Sequence, residues 1–495
     1  MKLSAIVKDS IYVPPEWDRD VNDIHADSRD VNNGDLFIAR AGSAAHGAAY
    51  IARAIEAGAS VIIEEGADCF RCEAGGVPVY PAENIKTKLP QWLANRYSSV
   101  AEMTLYAVTG TNGKSSVTQF IAQLANALGK QCGVVGTLGN GIWPELQATR
   151  NTTPDICVVY RMLNEFAEAG ADAAALEVSS HGLDQGRVAG LNFDVAVLTN
   201  LTQDHLDYHG DMESYFAAKA ALFTTGVAKA AVICTDDSYG QRLQAMSGVP
   251  ANCFSLAAAR TEEQIGNQAD ISYRNIELTD QGLTAELNTP WGSSNLTVPL
   301  MGDFNIANVA AAISALSLMG LSFNKLVAAA GNLQSVEGRM ALYTCEGKAK
   351  AVVDFAHTPD ALENVIRALN SQTEELSVVF GCGGDRDRTK RSLMADAAGG
   401  AKNIWVADDN PRTESADQIF ADIQQSSVAS RFIFEHDRAV AITAAVAATP
   451  SDGVVLVAGK GHENYQEING VKHSYSDAAV LESLGYRRAG GGHVA

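Results

Sequence analysis

Short apolar runs alternate along the chain with stretches where apolar residues recur every three or four positions, the pattern of strands alternating with amphipathic helices. The clearest pair is the run Met103 to Val108, read as a strand, and the stretch from Lys114 in which Val117, Phe120, Ile121, Leu124 and Leu128 fall on one helical face. Before it, Asp35 to Ala39 and Ser60 to Glu64 read as strands and Ala49 to Ala57 as a helix, a small α/β unit that Pro90 to Glu102 is expected to link to the rest. After it come strands at Gln131 to Val135, Asp172 to Val178 and Asp194 to Thr199; the last two are nearly continuous apolar runs, as expected of strands covered on both faces. Residues Leu278 to Leu300 read as a pair of strands, and an Ala-rich helix follows through Leu318. From Glu337 the alternation restarts, with strands at Ala351 to Phe355, Leu376 to Phe380, Asn403 to Ala407, Arg431 to Glu435 and Val454 to Val457, the pattern of a second open α/β sheet. The tail Arg487 to Ala495, which contains Gly490 to Gly492, is expected to be disordered.

Composition narrows the class. A chain of 495 residues is too long for one core, and about 150 residues per domain gives about three domains. A net charge of −21 argues against sequence-independent binding to nucleic acid or to anionic lipid, so an anionic ligand has to meet a local basic pocket. No apolar run reaches the ~18 residues of a membrane span, and Lys8 and Asp9 interrupt the start before a signal-peptide core forms. Of eight scattered cysteines only Cys69 and Cys72 form a C-x-x-C, which lacks the second pair of a zinc site. A cytoplasmic protein with reduced thiols is expected.

The chemistry gathers where strands end. Gly110-Thr-Asn-Gly-Lys114, with Ser115 and Ser116 next, joins the Met103 run to its helix; backbone N–H groups of such a turn cradle phosphates, Lys114 reaches the outer ones, and Ser115 offers a hydroxyl to magnesium. Val108 stands where the general P-loop pattern has its first glycine, and Gly110 serves instead. Glu177 ends a buried strand in Glu177-Val-Ser-Ser-His-Gly182, where open sheets place ligands, and is the magnesium candidate. The Asp194 strand opens into a loop rich in acid and imidazole. Its Asp204, His205, Asp207 and His209 do not follow a zinc spacing, and one magnesium ligand is the expectation. Lys219, on an Ala-rich helical run, reads by itself as a solvated surface lysine. Three polar loops, Gly381 to Asp387, Asp408 to Glu414 and Gly459 to Glu463, each follow a strand of the last sheet and are expected to form one mouth.

Jointly, Gly110 to Lys114, Glu177 to Gly182, Asp204 to His209, Asp354-Phe-Ala-His-Thr-Pro359 and Asp409-Asn-Pro-Arg412 resemble the Mur ligases of peptidoglycan synthesis, over the chain from the His25 stretch to the Asp477 region. The resemblance implies an ATP-dependent, amide-forming ligase of three α/β domains. These are an N-terminal domain for the uridine nucleotide (1–90), a central P-loop ATPase with a parallel sheet (91–336) and a Rossmann-like C-terminal domain for the amino acid (337–495). Its implied substrates are small molecules, ATP, a UDP-muramoyl dipeptide and meso-diaminopimelate, with magnesium as cofactor, no nucleic acid or membrane partner, and a monomeric state. Carried over residue by residue, the resemblance gives Gly110 to Ser116, Asn305, Arg339 and Asp354 to ATP. Ser28, Ser43, Ala44, Ala45, Asn151, Thr152, Thr153, Ser179, Gln185 and Arg187 fall to the UDP substrate, and Arg386, Asp409, Asn410, Pro411, Arg412, Gly459 and Glu463 to diaminopimelate. Ser115, Glu177, His205 and a carbamylated Lys219 are implied as magnesium ligands; with Lys114, the last three are the implied catalytic residues. Serines at 115 and 116 where many relatives have threonines keep the hydroxyls, while Phe355 in place of a common tyrosine loses one. Two other readings remain: a folate-type polyglutamate ligase and a non-enzymatic P-loop nucleotide switch.

Overall fold

The structure, a computed structural model, describes residues 1–42, 46–149, 151–259 and 269–489. Its contacts divide the chain into two compact units, each threaded by more than one segment.

The first unit comprises Met1–Ala107, Lys130–Asp194 and Val227–Lys229. Its N-terminal sheet runs in the order Ile24–His25, Leu36–Ala39, Val61–Glu65, Pro78–Ala82, Arg71–Cys72, parallel except for the last strand. Phe37, Ile62 and Val79 pack on one face beneath the helix Ile51–Glu56. The expected link at Pro90 is instead part of a helix, Ile85–Arg96. Proline forfeits one N–H bond, but Leu89, Trp92 and Leu93 are buried on one side of this helix, Trp92 Nε1 donates to Ser10 Oγ at 2.8 Å and Asn95 Nδ2 to the Ile6 carbonyl at 2.8 Å. Packing therefore outweighs the local penalty. Further on, Cys132–Gly136 pairs in parallel with Ala173–Glu177 and in antiparallel with Gly139–Ile142. Asp155 caps the helix Ile156–Glu168 by accepting from the Cys157 N–H at 3.0 Å.

The second unit comprises Val108–Gly129, Val195–Gly226 and Ala230–Ala495. The helix Lys114–Ala127 lies against the Ala-rich helix Phe304–Leu318. The expected pair is present as Gly282–Thr289 and Gly292–Val298, and a further strand, Ile271–Thr279, precedes it in the same antiparallel meander. That strand was missed because it is buried only at its start and then alternates exposed polar residues, which masks its apolar signal.

The last sheet has the order Ile433–Phe434, Asn403–Val406, Leu376–Phe380, Val454–Ala458, Lys350–Asp354, Ala341–Thr344, Arg487–Arg488. The first five strands are parallel, as the alternation required, and the last two are antiparallel additions. Helices Pro359–Asn370, Thr389–Ala398 and Ala416–Ile423 cover one face, and Arg438–Ala448 and Asp477–Ser483 the other. Arg487 and Arg488 pair with Thr344 and Tyr343, so the tail is ordered at least that far; Gly490 to Ala495 lie outside the described residues. No helix among the described residues is long and apolar enough to cross a membrane. Cys69 and Cys72 are exposed, free thiols.

Candidate active site

The strand Thr104–Thr109 delivers the chain into the glycine turn that opens the helix at Lys114. The turn is shaped for glycine at two points. Gly110 has φ +145° and Gly113 φ +87°, and a Cβ would stand 1.9 Å from Thr199 Oγ1 at the first and 2.7 Å from Asn308 Oδ1 at the second. Asn200 Oδ1 accepts from the Asn112 N–H at 2.9 Å, and Thr199 Oγ1 donates to the Asn112 carbonyl at 2.5 Å. The loop is thus held from outside by the Thr199 and Asn200 side chains.

Two ammonium groups converge on it. Lys114 Nζ donates to the carbonyls of Gly110 at 2.9 Å and Thr111 at 2.8 Å, and Lys219 Nζ donates to the same Gly110 carbonyl at 2.8 Å. Lys219 is 2% exposed, on the helix Met212–Thr224, with its Nζ 4.8 Å from the centre of the Tyr215 ring. It is no surface lysine. Burial pushes its pKa well below the ordinary lysine range, the nearby Lys114 charge pushes the same way, and Asp204 opposes both. Ser115, first in the helix after Lys114, accepts from Arg339 Nη2 at 3.3 Å, and Arg339 stacks its guanidinium 4.3 Å from the Phe355 ring centre. Asn305 Nδ2 donates to the Met301 carbonyl at 2.7 Å; Asp354 accepts from the N–H groups of Met340 and Ala356, both at 2.7 Å.

The loop after the Phe193–Leu198 strand places His205 at φ +55°, a left-handed conformation unusual for a residue with a Cβ. Its neighbour Asp204, 6% exposed, accepts from the His205 N–H at 3.0 Å and lies 3.2 Å from Lys390 Nζ, 3.5 Å from His205 Nε2 and 3.7 Å from His357 Nε2. Burial alone would raise this carboxyl, but the nearby His357 imidazole and the Lys390 charge outweigh it and hold the group well below the usual range.

Glu177 belongs to the first unit. It is 2% exposed, and its carboxylate accepts from the Thr137 N–H at 2.8 Å and the Thr137 hydroxyl at 3.1 Å; that hydroxyl also bonds Thr152 Oγ1 at 2.9 Å. Thr153 Oγ1 donates to the Glu177 carbonyl at 2.8 Å and lies 3.0 Å from Ser179 Oγ, while Arg187 Nη1 donates to the Thr153 carbonyl at 2.7 Å and Nη2 to Gln185 Oε1 at 2.6 Å. So Glu177, Thr152, Thr153, Ser179, Gln185 and Arg187, drawn from separate sequence motifs, form one bonded cluster in this unit. Asn151 begins the same loop, and Ser28 is buried beside the N-terminal sheet. Ser43, Ala44 and Ala45 lie outside the described residues.

The three loops of the last sheet do meet. Lys460, fully buried, donates to Asn410 Oδ1 and to Glu463 Oε2, each at 3.1 Å, and stands 3.7 Å from Asp409 Oδ1; Asn410 Nδ2 donates to Glu463 Oε2 at 2.9 Å. Gly459 has φ +115° and a Cβ there would meet Asp409 Oδ2 at 2.7 Å. Pro411 leads into Arg412, at φ +53°, whose Nη1 donates to the Gly384 carbonyl at 2.7 Å while Nε lies 3.8 Å from Glu467 Oε2. The exposed Arg386 faces Asp207 at 3.7 Å. Sequence reasoning passed over Lys390, Lys460 and Thr137. Thr137 had a usable signal, standing just past a strand end, whereas Lys460 lay inside a marked loop without a reason to choose it and Lys390 stood three residues beyond the marked Gly381 to Asp387 loop.

The second unit thus holds a glycine turn with two lysines and a mouth of charged loops. Family models match in three consecutive pieces: the Mur ligase family, catalytic domain, over residues 20–97, the Mur ligase middle domain over 108–316, and the Mur ligase, glutamate ligase domain, over 338–461. This chain belongs to the Mur ligase family. It is similar to a UDP-N-acetylmuramoyl-L-alanyl-D-glutamate–2,6-diaminopimelate ligase of Pseudomonas syringae pv. tomato, at 43% identity over 94% of this chain and 95% of the relative. Among solved structures, one of a protein of that same name is 36% identical with a TM-score of 0.67 and covers 98% of each chain. A MurF ligase of Thermotoga maritima in complex with ADP, 17% identical, shares the fold with a TM-score of 0.66 over 90% of this chain and 95% of its own. The three-domain α/β architecture expected from the sequence is that of a Mur ligase, and this Mur ligase is an ATP-dependent enzyme forming amide bonds.

Proposed function

We propose that this Mur ligase joins meso-diaminopimelate to the D-glutamyl carboxylate of UDP-N-acetylmuramoyl-L-alanyl-D-glutamate, using ATP, in the cytoplasm and as a monomer on small-molecule substrates. The observation that carries the reading is the 43% identity to a 2,6-diaminopimelate ligase sustained over 94% of the chain. The N-terminal stretch would hold the uridine nucleotide, the middle one ATP and residues 337–495 the amino acid, a division the three family matches support. A folate-type ligase or a nucleotide switch has no such full-length support.

A carboxylate does not form an amide in water because hydroxide is a poor leaving group. Here the D-glutamyl carboxylate oxygen attacks the γ-phosphorus of ATP, the bond to the β-γ bridging oxygen breaks, and ADP leaves an acyl phosphate behind. Lys114, now bonded to loop carbonyls, swings onto the outer phosphates, where its charge meets the charge that develops. Ser115 is a hard oxygen donor suited to magnesium, and with His205 and Lys219 as a carbamate it would hold the ion in the second unit; Glu177, also a hard oxygen donor, is a magnesium ligand by the family resemblance alone. Bound there, magnesium would neutralise phosphate charge. Lys219 is fitted for that modification, since burial and the Lys114 charge favour its neutral form, whose nitrogen can add to carbon dioxide with release of one proton to solvent, and the carbamate formed removes the repulsion from Lys114. In the second step the diaminopimelate amine attacks the acyl carbon and phosphate leaves. Arg412, held by Gly384 and stiffened by Pro411, offers a planar fork to the distal carboxylate that distinguishes diaminopimelate from lysine.

The test is ADP release across amino acids and acceptors. Release should require both the UDP-muramoyl dipeptide and meso-diaminopimelate, with lysine poorer by ~30-fold or more, on the scale of a broken charge pair. Arg412→Ala should lose most of that preference. Equal use of lysine by the parent, or full selectivity in the variant, would overturn the assignment of Arg412; stimulation by a pteridine substrate would overturn the function.

A further inference from the structure

The loop that carries His205 is held by the opening of one helix in the last sheet. Lys390, in the first turn of Thr389–Ala398 and only 14% exposed, reaches Asp204 Oδ1 at 3.2 Å. Gln203 Nε2 donates to Asp387 Oδ2 at 2.9 Å, and Asp387 Oδ1 accepts from the Thr389 N–H at 2.9 Å, so Asp387 ties the Gln203 side chain to the first residue of that helix. Arg386 meets Asp207 at 3.7 Å. Residues 203, 204 and 207 are thereby matched to 387, 390 and 386. Asp204 is the pivot: one oxygen accepts from the His205 N–H at 3.0 Å, which secures the left-handed turn, and also takes the Lys390 ammonium.

We propose that Lys390 is a positioning residue for His205: through the Asp204 carboxylate it fixes the turn that presents the imidazole. Arg386 stands only four positions before Lys390, so the loop assigned to the amino acid and the imidazole assigned to the metal are set by one clamp. A non-glycine residue in the left-handed region persists only where its surroundings hold it. Without Lys390, Asp204 is left buried with a weaker partner set and the turn can relax, carrying the imidazole away. The inference rests on the proposed ligase function for the role of His205, but its main test needs no second substrate.

Binding of Mn2+ with a non-hydrolysable ATP analogue is measured by calorimetry on the parent, Lys390→Met, Lys390→Arg and Asp204→Asn, with histidine 15N resonances recorded on the same metal-free samples. Lys390→Met should weaken Mn2+ binding ~10-fold and shift the His205 ring resonance. Lys390→Arg, which keeps the charge, should restore most of both, and combining Lys390→Met with Asp204→Asn should cost no more than either alone, as expected of two residues acting through one contact. Unchanged Mn2+ affinity and His205 resonance in Lys390→Met, or fully additive losses in the double variant, would overturn the proposal. Loss of ligation with diaminopimelate in the parent, with the Mn2+ result intact, would instead overturn the function and leave the clamp standing.

Discussion

At the scale of the residue, the most informative group is Lys219. A primary amine fully enclosed and sharing the Gly110 carbonyl with Lys114 is costly as an ammonium, because both burial and the neighbouring charge favour the neutral form. A carbamate would invert the situation, replacing a buried cation beside Lys114 with an anion able to hold magnesium. The expected outcome is that Lys219→Ala lowers turnover by ~1,000-fold or more, the size of a lost electrostatic element at a phosphoryl-transfer site, and that acetate or formate added at millimolar concentration restores part of it. Rates measured with and without the added acid check this. Parental activity in Lys219→Ala would remove the lysine from the reaction altogether. Lys460 is a second buried lysine, and there Asp409, Asn410 and Glu463 surround the side chain, which orients theirs.

At the scale of the element, strand-to-helix turns were legible because their signals are local: the Met103 run, the glycines and the periodicity from Val117 all sit within one stretch of chain. Glu177 was found for the same reason, as the end of a buried strand, while Asp409 and Arg412 lie in a loop marked for following a strand and took their role from the family resemblance. What escaped depended on distant partners. The helix through Pro90 exists because Trp92 and Asn95 bond to Ser10 and Ile6, and Lys390 matters because of Asp204, 186 positions away. The pairing of helices Thr389–Ala398 and Ala416–Ile423 is of this kind too. Asp422 binds Arg388 with both oxygens, at 2.9 and 2.8 Å, and Arg391 at 2.7 Å; Arg391 is 1% exposed and also gripped by Glu414. The Arg388 hydrogen bonds, then Arg391, bring the Asp422 carboxyl down to about 2 against the opposing effect of burial. A folded-state pKa below the unfolded one stabilises the protein above the unfolded value near 4, and the contribution disappears as pH falls through about 2. Asp422→Asn should therefore lower stability near neutral pH by about 3 kcal/mol, since it leaves a buried guanidinium short of a partner. The loss should shrink steadily between about pH 4 and pH 2. Urea unfolding across that range measures both, and a pH-independent difference would show that the pair does not set the acid limb.

At the scale of the whole molecule the question is how phosphoryl transfer is kept from running without an amine to trap its product. Within the second unit, the P-loop touches the last sheet directly: Asn112 Nδ2 donates to Thr358 Oγ1 and to Asp360 Oδ2, both at 3.3 Å. Thr358 and Asp360 lie at the start of the helix Pro359–Asn370, where Thr358 is the cap, and Asp360 is a carboxyl whose pKa burial raises. The Asn112 backbone is anchored separately, its N–H by Asn200 and its carbonyl by Thr199. Replacing the side chain therefore removes the link and leaves the loop. One or two long hydrogen bonds contribute about 1 to 1.5 kcal/mol, or roughly tenfold in the equilibrium between linked and unlinked arrangements. Asn112→Ala should accordingly keep its affinity for ATP within about twofold, raise the KM for the amino acid by roughly tenfold, and release more phosphate than amide, because the acyl phosphate is exposed to water for longer. Measuring phosphate and amide in the same reaction decides it. A parental ratio of the two products, with only ATP binding weakened, would place Asn112 in nucleotide binding alone and leave the coupling of the two halves of the reaction to the clamp at Lys390.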